Sequence, residues 1–200
     1  MEFNKDLNDK IWESIVRNIG DFITIEIPDY KVQRLYSFAS AIGLAKQREH
    51  KIDNKREVER NFTGFLGELA IEQYLGIEFI DWTIGKSEEH NSADLSKLKL
   101  NIGIKTSEIG NVALIPKKPY REEVVTIMIS DHQIKLCGLA TKEIQLQYSS
   151  PELVKDPAAR DHKVGFWGYS YLEPIEKLKE RYLERQQQLR SSYELLMGIR

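Results

Sequence analysis

Between Leu100 and Ser107 the chain runs LNIGIKTS, with Leu100, Ile102 and Ile104 alternating with Asn101, Gly103 and Lys105. A period of two places the three apolar side chains on one face of a strand and Lys105 on the other, beside Asn101 and Gly103. Asp94 stands a few residues earlier, just after a loop. An aspartate at one strand end and a lysine on the next strand can share a metal ion and a phosphate. The stretch NSADLSKLKLNIGIKTSE, from Asn91 to Glu108, is therefore the part of the chain on which a function is most readily built.

The flanking patterns predict an α/β fold. Residues 5–18 carry Leu7, Ile11, Trp12, Ile15 and Val16 at helical spacing. FITIEI (22–27) is a short strand pattern stopped by Pro28, and Asp29 is placed to cap a helix running to about Gln47. KQREHKIDNKREVER is a charge-dense connector. It is either a solvated helix end and loop or, through Lys51, Lys55, Arg56 and Arg60, a patch that attracts phosphate; its mixed signs weaken the second reading. NFTGFLGELAIEQYLG follows as a strong helix stopped by Gly76. Strands are expected over 77–85, 100–107, 112–115, 124–129 and 133–139. The run VVTIMI (124–129) has the continuous apolar character of a central strand. Thr141 caps a short helix, and VGFWGYSYL (164–172) is a further strand or edge. Pro174 opens a long amphipathic C-terminal helix that packs either on the chain's own core or on a partner helix. The expected architecture is one domain over 1–200: a helical lead (1–60), a core (61–148), then a loop, aromatic strand and helix (149–200). Its centre is a mixed sheet of four or five strands flanked by helices.

A formal charge of −2 on 200 residues excludes a chain whose whole surface is basic, so any nucleic-acid contact must be local. The single Cys137 excludes an internal disulfide and argues against a zinc–cysteine site; its neighbours point to a buried strand thiol. The polar N-terminus MEFNKDLNDK is unlike a signal peptide, and no apolar run approaches the ~20 residues that span a bilayer. The expectation is a cytoplasmic protein with no membrane partner.

In the helix after the connector, Glu68 lies among Phe62, Phe65, Leu66, Leu69 and Ala70 rather than on the polar side, with Glu72 one turn on. A charged group bordering an apolar stripe needs a partner or a metal. Gly64 and Gly67 cost helix propensity there; they let the helix approach a sheet, let something approach Glu68, or both. Metal-assisted phosphodiester hydrolysis needs carboxylates for a divalent ion and a cation for the developing charge or the attacking water. Asp94 and Glu68 would supply the first, the carbonyl of Ile104 a further ligand, and Lys105 the second.

The order helix with GFLGELAIEQYLG, then SADL, then NIGIKTSE, then VVTIMI and IKLCGLATKEI resembles the PD-(D/E)XK, or restriction-endonuclease-like, nuclease superfamily over Asn61 to about Tyr148. More narrowly it looks like a divergent subgroup with GIK in place of (D/E)xK. The resemblance implies a Mg²⁺- or Mn²⁺-dependent endonuclease acting on DNA, duplex ahead of RNA, and a homodimer for cutting two strands. It makes Glu68, Asp94 and Lys105 the catalytic residues, with Asp94, Glu68 and Ile104 on the metal.

One residue departs from that pattern: Gly103 stands two before the lysine, where the family has an acid. Either another acid replaces it in space, with Glu68 foremost and Glu108 and Glu72 behind it, or the chain binds nucleic acid or a protein without hydrolysis, or the fold serves structure alone. Lys117, Lys118, Arg121, Arg160 and Lys163 are the candidate phosphate contacts. His90 is a candidate near Asp94, though a loop histidine in solvent is the simpler reading. Phe166, Trp167 and Tyr169 could stack on bases but fit core or edge packing better. Ser107 and Thr106 lack the companions of a serine nucleophile.

Overall fold

The computed structural model describes residues 2–47, 54–84 and 93–197. Lys51 and His90 lie outside the described residues, as do the side chains of Lys55 and Arg56.

The helices follow the apolar spacing. α1 (Lys5–Asn18) starts where the Asn4 side chain accepts a hydrogen bond from the Leu7 amide, and it buries Trp12 and Ile15. α2 (Asp29–Gln47) begins at Asp29 itself. α3 (Asn54–Leu75) starts earlier than its apolar stripe, so the second half of the charged connector is helical rather than loop. Gly76, at φ 70°, closes α3 in the left-handed conformation that stops a helix. α4 (Lys142–Gln147) is capped by the Thr141 side chain as expected. α5 (Glu176–Leu196) packs on the core through Leu178 and Tyr182, while Tyr193 further along is exposed.

The main sheet is mixed and four-stranded. It contains β1 (Ile23–Glu26), β2 (Ile102–Glu108), β4 (Glu122–Ser130) and β5 (Gln133–Ala140) in the order β1-β5-β4-β2. β2 runs parallel to β4, whereas β4–β5 and β5–β1 are antiparallel. β4 is central and buried on both faces. Val124 joins the cluster under α2, α3 and α5, while Val125 and Ile127 join a second cluster with Trp12 and Phe166. That double burial is why its sequence is a continuous apolar run. β3 (Leu114–Pro116), β6 (Ser149–Ser150) and β7 (Lys163–Phe166) form a separate three-stranded sheet in the order β3-β7-β6. The 112–115 and 164–172 expectations thus fall in part in this small sheet and not in the central one, and Tyr169–Tyr171 form a 3-10 turn beyond β7.

Residues 77–84 are not a strand. Phe79 and Ile80 are buried, but their amides donate to the Glu72 carboxylate at 2.6 and 2.7 Å instead of to a neighbouring strand. Among the described residues no helix is long and apolar enough to cross a membrane.

Candidate active site

Two close approaches place β2. On one face, α3 lies against it at Gly67, where a Cβ would overlap the Thr106 hydroxyl; Thr126 Oγ1 and Thr106 Oγ1 are hydrogen-bonded at 3.0 Å beneath. Only glycine permits this separation, so Gly67 is a packing residue. A Cβ on Gly64 would meet nothing within 4 Å. At the outer edge of β2, Asp94 Oδ2 accepts from the Ile104 amide at 2.5 Å, and the Leu95 amide donates to the Ile102 carbonyl at 3.1 Å. The Asp94 segment therefore runs alongside the strand, as the spacing of acid and lysine requires.

The other half of the site comes from β4. Parallel register sets Gly103 opposite Glu123. A side chain at 103 would overlap Glu123 Oε2, and its Cβ would lie 2.6 and 2.7 Å from Arg121 Nη2 and Nε. Glu123 is fully buried and Arg121 is 8% exposed. Arg121 Nε donates to Glu123 Oε1 at 3.1 Å, and its Nη2 lies 3.9 Å from Asp94 Oδ2. Lys105 Nζ is 3.7 Å from Glu123 Oε2, an oxygen that makes no hydrogen bond among the described residues. Buried Gln145 anchors the start of the strand by donating to the carbonyls of Arg121 and Ala140 at 2.9 Å.

Charge around this point is tightly balanced. Burial, followed by Asp94 and Glu72, pushes the Glu68 carboxyl up to about 8 against the opposing pull of Lys105 and Lys97, so Glu68 holds a proton at neutral pH. Burial also raises the Glu123 carboxyl, while Lys105 and Arg121 draw it down. For Arg121, burial works against the charge, yet Glu123 and Asp94 outweigh it and raise the guanidinium above its ordinary value. Asp94 and Glu123 thus face Lys105 and Arg121 beside Glu68.

Glu68, Asp94 and Lys105 thus share one electrostatic neighbourhood, with Ile104 tied to it through its amide. Even so, no group of three or more His, Cys, Asp or Glu residues suited to a metal ion is found among the described residues. Glu72 is committed through one oxygen, its Oε1 taking the Phe79 and Ile80 amides. Glu108 is exposed and accepts from Thr63 Oγ1. Arg121, expected on an exposed connection among the phosphate contacts, is instead buried between carboxylates.

Lys117 and Lys118 are exposed after β3. Arg160 Nε donates to the Val154 carbonyl at 2.8 Å and helps hold its loop. Lys163 opens β7 and lines a cavity with Lys105. Phe166 and Tyr169 are core residues, the Tyr169 hydroxyl accepting from the Ala113 amide; Trp167 is partly exposed, edge-on to Tyr148. Cys137 is buried, and burial raises its thiol far from reactivity.

Glu123 is the residue that sequence patterning missed. Its one local sign was a charge directly before the apolar run Val124–Ile129, at the mouth of a central strand. Comparisons with models of protein families, with curated proteins and with solved structures gave no match.

Proposed function

We propose that the chain is a divalent-metal-dependent nuclease of restriction-endonuclease-like class that hydrolyses phosphodiester bonds in DNA. One observation carries the reading: Glu123 reaches over Gly103 to within ion-pair distance of Lys105, with Asp94 held by the Ile104 amide and 3.9 Å from Arg121. The acid absent from the lysine strand is thereby supplied by its parallel neighbour. The mixed sheet, with α3 on the face opposite Lys105, is compatible with that fold class.

The donor types suit a hard cation, while the three acids are not gathered into one ligand cluster in this structure. Asp94, Glu123 and Glu68 offer only carboxylate oxygens, the donor type Mg²⁺ and Mn²⁺ prefer. The buried Glu123 Oε2 lacks a hydrogen bond, and Glu68 retains a proton that a cation would displace. Such an ion would supply Lewis-acid polarisation of the phosphate and a more acidic water. Lys105 orients that water or offsets charge on the phosphorane, and Arg121 holds the two carboxylates apart. Two copies joined through the outer half of α5, for cutting two strands, belong to the same proposal.

A second reading has its own support: the Arg121 guanidinium already spans Asp94 and Glu123, as a cation would. On that reading the chain is a nuclease-like module that binds DNA or a protein without cutting. The purified chain with Mg²⁺ or Mn²⁺ should be assayed on duplex DNA, single-stranded DNA and RNA, beside Asp94→Asn, Glu123→Gln and Lys105→Ala. Cleavage that falls about a hundredfold or more in each variant is the expected result. Cleavage indifferent to all three sinks the assignment, and salt-dependent binding without any cleavage selects the second reading.

A further inference from the structure

Next to Lys105 the chain forms a cavity of about 570 Å³. Five consecutive residues of β2, Ile104 to Glu108, line it. Neighbouring side chains of a strand point to opposite faces, so a cavity touching all five lies along the strand's edge. The Ile104 amide turns to that edge to meet Asp94, and Thr106, two residues on, turns its N–H the same way.

The cavity has a cationic side and an apolar side. Arg60, Lys105 and Lys163 supply the first; Val112, Leu114 and Leu153 supply much of the second. The Lys163 side chain makes no hydrogen bond or ion pair among the described residues, whereas Arg60 is paired with Glu57 and Lys155 with Asn111. The acids of the lining are Glu59, Glu108 and Asp156; Glu108 accepts from Thr63, and Asp156 from the Ala158 amide. Partial burial, then the like charges of Lys105 and Arg60, push the Lys163 ammonium below its ordinary pKa. The Lys163 ammonium beside Lys105 and an apolar wall suits a ligand with a phosphate at one end and a flat apolar body at the other.

We propose that this cavity receives a single unpaired nucleotide of a nucleic-acid strand, with its phosphate against Lys163 and Lys105 and its base against the apolar wall. A space of this volume takes one nucleotide and not a duplex. The proposal rests on the nucleic-acid reading above and narrows it to strand ends, single strands or nucleotides displaced from a helix.

Gly64 gives a clean test, because it lines the cavity and a Cβ there would meet nothing within 4 Å. Gly64→Leu should fold, gain helix propensity and fill the cavity mouth. The probe is a 5′-phosphorylated oligothymidylate labelled at its 3′ end, followed by fluorescence anisotropy in EDTA beside a blunt duplex, with thermal unfolding as the control. The wild-type chain should bind the single strand more tightly than the duplex. Gly64→Leu and Lys163→Ala should each weaken single-strand binding about tenfold or more. Single-strand binding by Gly64→Leu equal to wild type overturns the proposal, as does a wild-type preference for blunt duplex or no binding at all. Because the assay excludes divalent metal, a chain that never cuts still passes or fails it, and a failure here leaves the cleavage test untouched.

Discussion

Gly103 and Glu123 are register partners on the parallel strands β2 and β4, and the Glu123 carboxylate lies where a side chain at position 103 would begin. The absence of one side chain and the presence of the other are a single structural fact. Gly103→Ala must push aside both Glu123 and Arg121, breaking buried ion pairs that cannot be remade in water. It should lower stability by about 1–3 kcal/mol in urea unfolding. Adding Glu123→Ala should return part of that loss, and a fully additive double variant would disprove the contact.

Glu68 predicts an unusual pH profile. An acid whose folded pKa exceeds its unfolded value keeps its proton longer in the folded chain. With the carboxyl moved from 4.5 to about 8, the folded state binds more protons between those values, so this group makes stability fall as pH rises across that window. Urea unfolding in EDTA at about pH 5 and about pH 8.5 should show the decline, and Glu68→Gln should flatten it. Ligation requires the ionised carboxylate, so Mg²⁺ binding near pH 7 should release up to about one proton, visible as a buffer-dependent heat.

Glu72 should behave as a structural acid. Its Oε1 takes two buried amides from Phe79 and Ile80, and Glu72→Ala leaves both unpaired. A loss of roughly 2–4 kcal/mol is expected, with metal affinity of the surviving folded protein unchanged. A large drop in Mg²⁺ affinity measured by calorimetry would return Glu72 to the site.

The two glycines of α3 should respond in opposite directions. Gly67→Ala collides with Thr106 and should cost about 1–3 kcal/mol despite the better helix former. Gly64→Ala enters open space and should gain up to about 1 kcal/mol. Paired denaturation curves decide the point, and equal shifts would contradict the packing of α3 on β2.

Local chemistry explains which parts of the fold could be read in advance. The alternation in β2 correctly set Lys105 opposite Ile102 and Ile104, and the unbroken apolar run of β4 marked a strand buried on both sides. Thr141 announced α4 because a cap acts over three residues. Residues 77–84 misled because a carboxylate one turn back in α3 takes the amides a strand would have offered to a neighbour. Glu123 escaped for a different reason. Nothing between Gly103 and Glu123 states which residues of two parallel strands will face each other; that register emerges only when the sheet assembles. Arg121 was recognisable as a cation but not as a buried one, since its burial depends on the same register.

Asp94 has a second duty that bears on how the site should be probed. β2 is the last strand of its sheet, and Asp94 and Leu95 occupy backbone groups along its open side. An unpaired strand of this kind is a template for another molecule's chain, so the aspartate also guards against self-association. Asp94→Ala would remove a charge and uncover an adhesive border together, and a precipitating sample could then pass for an inactive one. Asp94→Asn retains an oxygen for the Ile104 amide, which makes it the substitution whose loss of chemistry can be separated from a loss of colloidal stability.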